Sequence, residues 1–268
     1  MNQKINRLFI LALGISMTLI ACNGGDKKEE STTTTDSIST TTDTTSSAKN
    51  EAVAPMVQDA SMDAVKVAPD LYKVLHDTMG IRIVEATYKP GDSSALHSHP
   101  DYALYVINGG TAEFTGKDGK KMPNEMKSGM ENIRAGEVHG VKNTGKTTVK
   151  VLLVEVTRPM GTVSPDPAMD ATKVAPDLYK LKGDTLGIRI VEATYKPGQS
   201  SALHAHPDNA VYAISGGTAE FTQKDGTKQT NELKTGTSMI TPGGVHSVKN
   251  TGKTTMKILL VEVNRPMK

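Results

Sequence analysis

The 268-residue chain has one cysteine, no tryptophan, three phenylalanines and no excess of charge of either sign. One thiol excludes an internal disulfide, an iron-sulfur cluster and a four-thiolate zinc site, so any folded core rests on packing alone. The 31 basic residues against 29 acidic ones give a net charge of +2 spread along the chain, and the dense basic face of a nucleic-acid binder is missing. After residue 22 no run reaches the roughly 18 to 20 apolar residues that a spanning helix requires. Aromatic residues are only 4% of the chain, so its cores have to be filled mainly by Val, Ile, Leu, Ala and Met.

What is present begins with an export signal. Lys4 and Arg7 precede a thirteen-residue apolar run from Leu8 to Ile20, which ends in the small residue Ala21 and in Cys22. A helix of that length spans roughly 20 Å, short of a bilayer core, and reads as a cleaved segment. Leu19-Ile20-Ala21-Cys22 resembles the lipobox of bacterial lipoproteins. The resemblance implies lipidation at Cys22, membrane attachment through it, and residence on the periplasmic face of the outer membrane or at the cell surface. The adjoining Asp26-Lys27-Lys28-Glu29-Glu30 is similar to the charged export sequences of some Bacteroidetes-type lipoproteins and reads equally as a solvated linker. From Ser31 to Ser47, 14 of 17 residues are Ser or Thr, with almost nothing to bury, so residues 23–62 are expected to be a disordered tether.

The rest of the chain is a duplication. Shifting by 107 positions aligns Lys66–Pro159 with Lys173–Pro266 without a gap, at 68 identities in 94 positions. That period matches a whole domain. The expected layout is a signal at 1–22, the tether at 23–62, one domain at 63–160, a connector at 161–170 and a second domain at 171–268. Within each copy the segments are short, β-branched and bounded by turns, as in Ile81–Tyr88, Ala103–Ile107, Thr111–Thr115 and Val149–Val156. This predicts an all-β sandwich or barrel, with one short helical turn near Gln58–Val65. His76, replaced by Gly183 in the second copy, reads as an exposed loop residue.

Six of the seven histidines form two equivalent triplets, His97, His99 and His139, and His204, His206 and His246. Alternate residues of a strand face one side, so each His-x-His pair aims two imidazoles in one direction, and the third must come from another strand. Such a set suits a divalent metal ion.

The residues around the triplets carry a family resemblance. Gly91-x5-His97-x-His99 with Gly110, and Gly198-x5-His204-x-His206 with Gly217, resemble the first cupin motif; Gly136–Asn143 and Pro242–Asn250 are similar to the second. The resemblance implies a double-stranded β-helix, or jelly roll, in each copy, hence two tandem cupin domains, with the histidines at the barrel mouth. The family's glutamate is missing: its place falls on Ala103 or Leu104 and on Ala210 or Val211. Three imidazoles without a carboxylate favour zinc, iron, nickel or copper over manganese. Asp101, Asp208 and Glu137 are the carboxylates placed to substitute, and Tyr102 and Glu137 are candidate acid/base groups. Tyr102, Arg134 and Glu137 become Asn209, Thr241 and Gly244, so the two mouths should differ.

Two classes of function stay open at this point. One is a metal-dependent oxygenase, decarboxylase or isomerase acting on a small organic molecule. The other is a non-catalytic extracytoplasmic module that binds a metal ion, sugar or small acid, with the bare scaffold as a weaker third. The two copies are expected to pack as an intramolecular pseudo-dimer, with a homo-oligomer open and no nucleic-acid partner.

Overall fold

A computed structural model describes residues 59–161, 163 and 165–267. The signal segment, Cys22 and most of the tether lie outside them. Among the described residues, no helix is long and apolar enough to cross a membrane.

Each copy is a nine-stranded β sandwich entered through two short helical turns. In the first copy, Asp59 and Asp63 accept hydrogen bonds from Ser61 N and Val65 N and so start a 3-10 turn at Ala60–Met62 and helix α1 at Ala64–Val67. The second copy repeats this with Asp166 and Asp170, a turn at Pro167–Met169 and α2 at Ala171–Val174. The helical turn expected near Gln58–Val65 is therefore two turns, and the likeness of the copies reaches back to Asp59 and Asp166.

Strands β1 (Tyr72–Thr78), β2 (Ile81–Tyr88), β9 (Val149–Val156), β4 (Asp101–Asn108) and β7 (Glu131–Arg134) form one sheet in that order. The facing sheet runs β3 (His97–His99), β8 (Glu137–Asn143), β5 (Gly110–Gly116) and β6 (Lys121–Met126). In the second copy, β10 to β18 (Tyr179–Thr185, Ile188–Tyr195, His204–His206, Asn209–Ser215, Gly217–Gln223, Lys228–Leu233, Ser238–Thr241, Gly244–Asn250, Met256–Val263) repeat both orders. Met79 and Gly80 close the β1–β2 hairpin with positive φ at both positions, which suits a two-residue turn following the sheet's twist. His76 is exposed, as expected, yet it lies in β1 beside a bulge and not in a loop.

The run Val149-Lys-Val-Leu-Leu-Val-Glu-Val156 is apolar on both faces because both are buried. Val149, Val151 and Leu153 face the barrel with Val84, Ala86 and Tyr88. Leu152, Val154 and Val156 turn outward with Ile81 and Ile83, and there they meet Ile188, Ile190, Leu259, Val261 and Val263 of the second copy. Tyr105 and Tyr212 meet across this seam with ring centres 5.9 Å apart and their planes tilted by 48°. The two five-stranded sheets thus pack back to back around a shared apolar layer, the expected intramolecular pair.

Candidate metal centres

Strand register assembles each triad. Pairing of β3 with β8 sets His97 directly opposite His139, and His99 lies two residues further along the same face. Pairing of β12 with β17 does the same for His204 and His246. One nitrogen from each imidazole lies within 4.8 Å of the others in both triads. Gly91 and Gly198, the motif glycines, adopt φ of +88° and +81° where the chain turns out of the preceding strand, a conformation that side chains other than glycine's resist.

The ring orientations are fixed by partners on the far side. His97 Nδ1 bonds Ala95 O at 2.8 Å and His99 Nδ1 bonds Glu155 Oε1 at 2.7 Å. These contacts define the nitrogens that carry protons and leave Nε2 of each ring for a cation. The second barrel is identical in design, with His204 on Ala202 O at 2.8 Å and His206 on Glu262 at 2.7 Å. Glu155 is completely buried, and its other oxygen pairs with Arg82, which also holds Asp63. Arg189 repeats this with Glu262 and Asp170. Burial depresses the imidazole pKa to about 3 at His97 and His246 and about 4 at His204, so these rings stay neutral at physiological pH. Three converging imidazoles, two of them held from behind in each barrel, fit a divalent transition ion.

The substitute carboxylates go elsewhere. Asp101 accepts from Gly136 N at 2.7 Å and from Arg265 at 2.6 Å. Asp208 accepts from Gly243 N and from Arg158 at 2.7 Å. Both join one barrel to the other, as bridges between a loop and an arginine from across the seam, and neither reaches the imidazoles. Glu137 does approach, with Oε1 3.5 Å from His139 Nδ1, while accepting from Tyr102 at 2.6 Å and from Arg134 through two nitrogens. Burial would raise its pKa, but these hydrogen bonds outweigh it and bring the carboxyl down to about 2. Burial and Glu137 together push the Tyr102 phenol well above its ordinary value. Of the two positions at which the family's glutamate is missing, Leu104 and Val211 line the cavities while Ala103 and Ala210 belong to the seam.

Beside each triad opens a largely apolar cavity. In the first barrel it holds about 300 Å³ and is lined by Leu104, Phe114 and Met126, with Tyr102, Arg134 and Glu137 at the polar end. In the second it holds about 570 Å³, since Asn209, Thr241 and Gly244 fill less space and bring neutral amide and hydroxyl groups. His246 has no counterpart of Glu137.

Sequence reasoning missed Glu155, Glu262, Arg82, Arg189, Tyr72 and Tyr179. The signal available was one acidic residue inside an otherwise apolar final strand, at the same place in both copies.

The cupin domain family matches at residues 84–155 and again at 191–262, together more than half of the chain. The chain belongs to the cupin family. Among solved structures, this bicupin is similar to oxalate decarboxylase of Bacillus subtilis, a protein with Mn(II) centres, at 17% identity over 70% of each chain with a TM-score of 0.50. It is similar to AerE from Microcystis aeruginosa at 15% identity over 72% of this chain and 91% of that one, TM-score 0.51. At these identities the likeness is one of fold. No curated protein matches the sequence.

Proposed function

We propose that each barrel of this bicupin holds a divalent ion on its three imidazoles and that the first barrel converts a small organic molecule seated in the adjoining cavity. The observation that carries this reading is the convergence of three histidine side chains, twice, with the far nitrogens of two rings in each set already engaged. Bound there, a transition ion supplies Lewis acidity, and redox capacity where it is iron or copper. The all-imidazole donor set favours zinc, iron, nickel or copper over manganese, in contrast to the Mn(II) protein of similar fold.

The chain's own residues supply position and exclusion of water. The apolar wall of Leu104, Phe114 and Met126 selects a small, partly hydrophobic ligand. Glu137 remains ionised at neutral pH and, at a pKa of about 2, is a weak base. It therefore orients the Tyr102 hydroxyl and spends the Arg134 guanidinium, which leaves that arginine committed to a carboxylate of the protein itself. The larger second cavity, lacking those groups, suits retention of a ligand without turnover. The missing glutamate favours that non-catalytic reading for the second barrel, where, among the described residues, Glu262 holds His206 from behind and Gly244 stands in place of Glu137 beside His246.

The apolar run ending at Cys22 supports export and lipid attachment, which would place the barrels outside the cytoplasm at the end of a Ser/Thr-rich tether. Elemental analysis of the purified full chain, followed by a screen of small acids and phenols for oxygen uptake or carbon dioxide release, tests the reading. Two metal equivalents with turnover that is lost in His97→Ala are expected. Metal without turnover across the screen would leave a binding module, and no metal after reconstitution would refute the site.

A further inference from the structure

Each triad is accompanied by a buried phenol that neither cupin motif contains. Tyr72 opens β1, the edge strand of the five-stranded sheet, and its hydroxyl lies 2.9 Å from His97 Nε2. That is the nitrogen left for a cation, because Nδ1 of the same ring is occupied by Ala95 O. Tyr179 stands 2.9 Å from His204 Nε2 in the second barrel. Both tyrosines are buried, at 3% exposure.

We propose that Tyr72 and Tyr179 are the fourth protein donors of the two metal sites, oxygen ligands that stand in for the absent glutamate. The inference rests on the metal-site reading above and concerns what completes the site. Its first support is spacing. Two donors cis to one another on an ion at bond lengths of about 2.1 Å lie about 3 Å apart, the separation found here between phenol oxygen and imidazole nitrogen. Its second is that the cavity-facing positions of the missing carboxylate are Leu104 and Val211, which offer no lone pair. Its third is that the phenol oxygen is held from behind. Tyr88 donates to Tyr72 at 2.8 Å with Ser94 2.9 Å beyond, and Tyr195 donates to Tyr179 at 2.7 Å. Edge-on packing of Tyr72 against Tyr88 and of Tyr179 against Tyr195, ring centres 5.9 Å apart in each pair, fixes the direction of the phenols.

Ligation would form a metal–oxygen bond from a phenol lone pair and release the phenol proton to buffer, so that the donor set would contribute one negative charge to the divalent ion, as it would with glutamate. The full chain in detergent, loaded with two equivalents of Cu(II), should show a phenolate-to-copper charge-transfer band in the visible and resonance-enhanced tyrosine ring modes. Tyr72→Phe and Tyr179→Phe should each remove about half of that intensity and the double variant all of it. Copper affinity in chelator competition should fall by tenfold or more, with unchanged circular dichroism. Two bound coppers without the band in the wild-type chain would overturn the assignment while leaving the imidazole sites intact. Tighter copper binding by the phenylalanine variants would overturn it too, since the tyrosine would then be a plug competing for the lone pair. Failure of the wild-type chain to take up copper, zinc, nickel or iron would sink the metal-site reading itself.

Discussion

At the scale of single residues, the distinctive feature is a buried carboxylate acting through an imidazole. Glu155 sets the tautomer of His99 and is itself balanced by Arg82. Glu155→Gln keeps the volume and one acceptor while removing the charge that makes the imidazole a better donor. Metal affinity at the first site should drop about 10- to 100-fold, read by chelator competition in a background where His204 and His206 are alanine. Glu155→Ala should cost more in stability than in shape, because Arg82 would be left partly buried beside Asp63 alone.

A second residue-scale expectation concerns acid. His97, His204 and His246 have folded-state pKa values of about 3, 4 and 3, below the unfolded value of 6.5. Above 6.5 both folded and unfolded chains leave these rings neutral and they contribute no pH dependence. Below it the unfolded chain takes up protons that the folded chain refuses, so stability falls as pH drops from 6.5 toward 3 to 4. At the steepest each ring removes about 1.4 kcal/mol per pH unit. Urea titrations of the metal-free chain at a series of pH values should show this slope, reduced by one ring's share in His97→Asn. An equal slope in that variant would place the acid sensitivity elsewhere.

At the scale of elements, strands with plain alternation or dense β-branching were legible in the sequence. Ile81–Tyr88 and Val149–Val156 lie where the pattern placed them, and the segments at Ala103–Ile107 and Thr111–Thr115 are the centres of β4 and β5. Strands β6 and β7 were not legible. Lys121–Met126 is nearly all exposed on an edge and carries Pro123, and Glu131–Arg134 is a four-residue edge with two exposed side chains. An edge strand buries too little to impose a pattern on its sequence. The triads were legible because strand period and residue type coincide, whereas Tyr72 and Glu155 act across sheets, and no local spacing encodes a contact 25 or 56 residues away. The motif asparagine shows the same limit. Asn143 donates to Tyr88 O and Thr147 O and accepts from Gly145 N, joining β2, β8 and the turn before β9. Asn143→Ala leaves Tyr88 O unpaired in the interior and frees the partly buried contacts to Thr147 O and Gly145 N, and should cost about 1–3 kcal/mol in chemical denaturation, with the hydrophobic core otherwise unchanged.

At the scale of the whole molecule, the seam does more than bury apolar surface. Arg158 ends the first barrel and Arg265 the second, and each crosses to the other. Arg158 reaches Asp208 at 2.7 Å and Arg265 O at 3.1 Å, while Arg265 reaches Asp101 at 2.6 Å and Arg158 O at 3.3 Å. The two guanidiniums are almost fully buried, and each carboxylate retains about a fifth of its exposure. Asp101 lies two residues past His99, and its second oxygen holds Gly136 N, directly before Glu137 and the strand that carries His139. The last residues of one barrel therefore brace the metal-site loop of the other. Arg265→Met should leave Asp101 partly buried without its cation and cost about 2 kcal/mol of stability, discounted for that residual exposure. It should also loosen the first site selectively. In a chain whose second triad is disabled, Arg265→Met should weaken metal binding at His97, His99 and His139. In the reciprocal chain, with the first triad disabled, it should leave His204, His206 and His246 near their wild-type affinity. Arg158→Met should give the mirror-image result. Equal weakening of both sites by either variant would mean that the arginines act through general stability and that the two centres are not individually braced across the seam.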